Sequence, residues 1–194
     1  MSHIFDYIVI ALAFGLEAVV YMRNSVEQTR ISLVRGLASA FLMAAVFVGF
    51  MLLGMLVGNF FQFQQPDDGF LDEGIQQINS LIFLGFALVV VFKLLMGIRK
   101  NRALPAYDIS TTGTMLLFSV ATGINVLILG IGMGFLYKVG ADVWKVSVPM
   151  FLSVLLFAFW GVMLGRNKVV MRHRRWQFIA VLCLLGIAVK GAFL

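Results

Sequence analysis

Six long apolar runs fill almost all of this 194-residue chain, and that arrangement constrains the fold more than any motif does. They fall at Ile4–Met22, Leu37–Phe61, Ile75–Gly97, Thr114–Leu136, Val146–Gly165 and Gln177–Leu194. About 20 mostly apolar residues in helical form cross a bilayer. Hydrophobic residues make up 61% of the sequence, more than a soluble core of this size needs. Inside lipid every backbone polar group must be satisfied within the protein, so such runs become helices. The strands of a membrane barrel would alternate apolar and polar residues, whereas these runs are apolar all round. The expected fold is all-α: a polytopic membrane protein with six transmembrane helices, a single domain over residues 1–194.

The net charge of +6 is less informative than its distribution. The connections after the first, third and fifth runs carry Arg23, Arg30, Arg35, Arg99, Lys100, Arg102, Arg166, Lys168, Arg172, Arg174 and Arg175. The opposite connections carry only Lys138 and Lys145, together with Asp67, Asp68, Asp72, Glu73 and Asp142. Basic loops are retained in the cytoplasm. Both termini are then expected outside, as an even number of spans requires. The basic runs are read as topogenic and lipid-facing rather than as a nucleic-acid surface. Cys183 is the only cysteine, which rules out an intrachain disulfide and a thiolate metal cluster. The first run lacks a basic stretch before it and is closely followed by Arg23, so it is read as a retained helix and not a cleaved signal.

The chain divides near Arg99–Arg102 into two weakly similar halves, about 1–100 and about 101–194. Gly15-Leu16-Glu17 matches Gly123-Ile124-Asn125. Gly54 to Asn59 matches Gly161 to Arg166. Leu84-Gly85-Phe86-Ala87 matches Leu185-Gly186-Ile187-Ala188. Three helices per half make the two halves insert in opposite orientation, an inverted repeat of the kind that secondary transporters build around a midplane site. Duplication kept for packing alone is the plainer reading. Gly54 and Gly58, Gly130 and Gly134, and Gly161 and Gly165 each fall four apart, a spacing that lets helix backbones approach.

Ionisable residues inside a membrane helix are costly and are candidates for function. Glu17 is the sharpest, placed about one turn from the cytoplasmic end of the first run. Asn125 is its match in the fourth. Thr122 precedes Asn125 by three positions, so both share one face, and Ser119 lies a further three back. Ser39 and Ser153 add hydroxyls. Glu17, Asn125, Thr122, Ser119 and Ser39 are the expected ion-binding set. Their oxygens are hard donors suited to Mg²⁺ or Mn²⁺, with Glu17 and Asn125 as the metal-contacting pair. His3 and His173 read as solvated. The competing structural reading is a Glu17–Lys93 ion pair, since the two lie at similar depth. Lys190 is expected to snorkel to the outer interface.

Two stretches resemble the manganese efflux pump family (MntP) of bacterial inner-membrane proteins. Ala121-Thr122-Gly123-Ile124-Asn125 running through Gly130 to Phe135 is similar to its fourth-helix segment. Ala13-Phe14-Gly15-Leu16-Glu17-Ala18 is similar to its first-helix motif. The resemblance implies six helices, an inverted repeat, a bacterial inner-membrane location and export of Mn²⁺. The chain departs from the family at three points. Glutamate stands at Glu17 where aspartate is typical, Asn125 replaces an aspartate, and no acid or amide stands near Met43 in the second helix.

The functional expectation is a secondary transporter that exports a divalent cation, Mn²⁺ foremost, with proton coupling open to the Glu17 carboxyl. An exporter of another small solute within the lysine-exporter superfamily is the second reading. A non-transporting membrane partner protein is the third. No G-x-x-x-x-G-K-[ST] run is present to bind nucleotide. The chain is not expected to be an enzyme or to hold a resident cofactor; its expected partners are the lipid bilayer and the transported cation.

Overall fold

A computed structural model describes residues 4–29, 31–61, 72–99, 108–137, 143–168 and 173–192. It is all-helical, with α1 (Ile4–Thr29), α2 (Leu33–Phe61), α3 (Asp72–Arg99), α4 (Thr112–Leu136), α5 (Val143–Arg166) and α6 (His173–Ala192). Several loop charges invoked above, among them Arg30, Asp67, Asp68, Lys100, Arg102, Lys138, Asp142 and Arg172, lie outside the described residues, as does His3.

The helices outrun the apolar segments that predict them. Met22 ends the first apolar run, yet α1 continues to Thr29. Arg23 and Glu27 pair across one turn at 2.9 Å, which satisfies both charges on the extended helix. Glu17 therefore stands near the middle of α1 and not one turn from its end. α4 begins at a capping box in which the Thr111 hydroxyl accepts from the Thr114 N–H and the Thr114 hydroxyl accepts from the Thr111 N–H.

Five of the helices, α1 to α5, are long and apolar enough to cross a membrane. The expectation of six meets its exception at α6. Its charge-free stretch runs only from Trp176 to Val189, about 21 Å at helical rise, against a hydrocarbon core of about 30 Å. The outward faces of α2, α3 and α5 are lined by large apolar side chains such as Phe41, Leu56, Leu88, Phe92, Leu152 and Leu156. Polar surface is missing where a soluble protein would need it, so these faces suit a lipid environment.

α1 and α4 are the most enclosed helices. The closely packed pairs are α1 with α5, α2 with α4, α2 with α5, α3 with α6, α3 with α4, and α1 with α6. Exchanging α1 with α4, α2 with α5 and α3 with α6 leaves this set of pairs unchanged. The glycine contacts repeat in the same way. A Cβ on Gly54 would stand 2.5 Å from the Leu127 carbonyl oxygen, and one on Gly161 would stand 2.6 Å from the Val19 carbonyl oxygen. Gly58 meets the Ile131 carbonyl as Gly165 meets that of Arg23. Gly123 lies against Phe50 as Gly15 lies against Phe157. Each contact in one half maps onto its counterpart with a constant sequence offset in each helix pair. α1 and α4 are not among the backbone-close pairs. They meet through side chains, and Glu17 and Asn125 are two of these.

Candidate functional site

Glu17 and Asn125 come together in the core of the bundle. The Asn125 Nδ2 donates to Glu17 Oε1 at 3.0 Å. Glu17 is 1% exposed and Asn125 4%. Both side chains are enclosed by the other helices of the bundle. Alanine, valine and phenylalanine surround Glu17 on its own helix, at Phe14, Ala18, Val20 and Ala13, all fully buried. A carboxylate in such surroundings is held by the groups that face it, and Asn125 is one of those that bond it. Tyr21, one turn further along α1, lies near the carboxylate as well.

Three oxygens in this part of the core have no hydrogen-bond partner among the described residues: Glu17 Oε2, Asn125 Oδ1 and Ser39 Oγ. Buried polar atoms are normally satisfied, and those that are not call for an explanation. The first two belong to the hydrogen-bonded pair itself. A carboxylate oxygen and an amide oxygen left open on one pair are donors suited to a hard cation. Ser39 is fully buried on α2, but no hydrogen bond joins it to Glu17 or Asn125.

The remaining expected ligands are spent locally. Ser119 donates to the Met115 carbonyl at 2.9 Å, and Thr122 to the Phe118 carbonyl at 2.9 Å. Such back-bonding is the usual way a membrane helix satisfies a hydroxyl. Their oxygens keep free lone pairs, and Thr122 lies on the Asn125 face of α4. Ser153 of α5 donates across to the Ala11 carbonyl of α1 at 2.8 Å, pinning the two helices together. Among the described residues no group of three or more His, Cys, Asp or Glu side chains comes together. A cation here would rest on one carboxylate, with amide and hydroxyl oxygens completing its shell.

The Glu17–Lys93 ion pair is not made. α3 packs against α4 and α6, and α1 is not among its close neighbours. Lys93 is exposed beside Leu88, Val89, Phe92 and Met96 on the outer face of α3. Its charge bears on Glu17 only through space. Equal depth in the membrane places two residues in one layer, but an ion pair also needs the two side chains to meet, and the Lys93 side chain is exposed.

Sequence reading passed over a second buried acid. Asp6, in the first turn of α1, is 1% exposed. Its Oδ1 pairs with the Lys190 ammonium of α6, and its Oδ2 accepts from the Tyr137 hydroxyl at 3.2 Å. Lys190, expected to snorkel, is half-exposed and is also tied to α1. The only sequence signal was an acid just inside the start of an apolar run, where a helix N-terminus accommodates one without comment.

No protein-family model matches this chain, and no curated protein or solved structure matches it either.

Proposed function

We propose that the chain is a secondary membrane transporter of the manganese-efflux type, exporting a divalent cation, Mn²⁺ foremost, from a site at Glu17 and Asn125. The observation that carries the reading is the pair itself. Two polar side chains from corresponding places in the two halves meet in an apolar core, bonded to each other at 3.0 Å, with an oxygen of each left without a partner. Ionisable groups held so deep in a membrane protein mark ion pathways.

The exchange symmetry of the helix pairs and of the glycine contacts supports an inverted repeat of two three-helix halves. That architecture places a substrate site at the interface of the halves, which is where α1 and α4 face each other. In this reading α6 completes the second half as a sixth span, both termini lie outside, and the membrane is a bacterial inner membrane. The first- and fourth-helix resemblance to the manganese efflux pumps supplies the substrate. A carboxylate that binds a cation on one side of the membrane and a proton on the other would couple export to proton entry. The site's single formal charge suits a weakly held ion, and a transported ion must be released as readily as it is bound.

The test is manganese tolerance in an exporter-deficient host, with membrane abundance measured in parallel. Glu17→Gln is expected to abolish tolerance at normal abundance. Unchanged tolerance would remove Glu17 from transport. The satisfied hydroxyls of Ser119 and Thr122 are what a non-transporting packing protein would also display. That reading predicts that Glu17→Gln lowers abundance and tolerance together.

A further inference from the structure

The buried acid Asp6 stands in a defined relation to Glu17. Residues eleven apart on an α-helix differ by about 20° in direction and about 16 Å along the axis. Asp6 and Glu17 therefore lie on one stripe of α1, with the fully buried Ile10 and Phe14 between them. Asp6 marks the outer end of that stripe. Two of its partners come from the other half of the chain: Lys190 from α6, and Tyr137 from the end of α4. The Tyr137 ring is packed edge-on against Tyr7, the neighbour of Asp6, with centroids 5.5 Å apart. One cluster thus ties α1 to α4 and α6.

The pair is asymmetric. The Asp6 side chain is 1% exposed and the Lys190 side chain 50%. Lys190 can swing its ammonium into water on a flexible stem. Asp6 cannot follow, and a buried carboxylate stranded without a cation is strongly disfavoured. A cation that arrives at Asp6 therefore competes with the Lys190 ammonium for the carboxylate.

We propose that Asp6, Lys190 and Tyr137 form the outer gate of the pathway that begins at Glu17, with Lys190 as its moving part. In the closed state the ammonium occupies Asp6. A cation released from Glu17 displaces it and leaves past Asp6 and Tyr137. The proposal rests on the transport reading above, and its test separates the two.

The test is the outward accessibility of the stripe between the acids. In the full chain with Cys183→Ser, Ala13→Cys places a thiol one turn outward of Glu17. A membrane-impermeant maleimide added from the outer side reads its exposure. The gated protein should label slowly. Asp6→Asn with Lys190→Met removes the latch without stranding a charge and should raise the labelling rate at least about tenfold, within the usual range of coupled two-state equilibria. Tyr137→Phe, which keeps the ion pair and loses one donor, should raise it less. Both variants are first shown to elute as a single folded species. Should the double variant fail that check, Tyr137→Phe alone decides. Unchanged labelling in a folded variant overturns the gate. Mn²⁺ efflux is followed in the same preparations. Faster labelling in a protein that moves no Mn²⁺ upholds the gate and removes the substrate. Efflux in the parent with unchanged labelling in the variants upholds transport and removes the gate.

Discussion

Asn125 sets the charge of the central pair. Its amide gives Glu17 a donor at 3.0 Å where a second acid would bring a second negative charge. Asn125→Asp would place two carboxylates in that contact, and like charges so close cannot both ionise without a cation between them. The variant should therefore melt lower than the parent in chelator and gain more from Mn²⁺ than the parent does. A thermal melt in detergent, with and without the metal, checks this; equal gains in the two proteins would mean that no ion sits at the pair. A second expectation concerns Lys93. Because it is exposed and makes no ion pair with Glu17, adding Lys93→Met to Glu17→Gln should leave abundance normal and should not restore tolerance. Restoration in membrane fractions of the double variant would mean that the two charges meet after all. These residues also show what a sequence does and does not reveal at this scale. Glu17 and Asn125 stand out because a carboxylate or an amide in an apolar run has no cheap explanation. Asp6 does not stand out, because its burial is created by partners 131 and 184 positions away. Lys93 misled because depth can be counted along a sequence and facing direction cannot.

At the scale of helices, glycine decides which surfaces touch. Gly54 and Gly161 hold equivalent places, and a methyl group on either would press within 2.6 Å of a partner-helix carbonyl oxygen. Backbone at that distance cannot give way as a side-chain tip can, so Gly54→Ala and Gly161→Ala should each destabilise by about 1–3 kcal/mol, the usual cost of overpacking. Gly85 and Gly186, matched in sequence with equal weight, have nothing within 4 Å of their Cβ positions. Alanine there should be neutral or stabilising by up to about 1 kcal/mol, through helix propensity alone. Melting temperatures of the four variants separate the two classes; equal losses in all four would mean that Gly85 and Gly186 are covered in the membrane. Sequence spacing located both kinds of glycine without telling them apart. It also located the helices, since apolar length is a direct consequence of bilayer thickness. Where each helix ended was less legible, because α1 continues to Thr29 on a charge pair and not on apolar residues.

For the whole molecule the open quantity is the path of α6. Its charge-free stretch is short, and Arg174, Arg175 and Lys190 bound it. Two features let such a helix span. Arg174 and Arg175 are exposed at its first turn and can rest at the cytoplasmic interface. Lys190 enters the outer layer already paired with Asp6, so its charge does not have to be left bare there. The alternative, α6 lying along the cytoplasmic surface, would place Lys190 on the same side as the arginines. Asp6, at the far end of α1, could then not reach it. The proposed topology, with both ends of the chain on the side opposite the basic loops, accommodates both the ion pair and the charge bias. A reporter fused after Leu194 should accordingly give a non-cytoplasmic signal, active for a phosphatase that folds only outside and dark for a fluorophore that matures only inside. A second fusion after Arg166 should give the reverse. If both fusions report the cytoplasm, α6 does not cross. The two halves then cannot be inverted copies, and the Asp6–Lys190 pair cannot exist in the membrane.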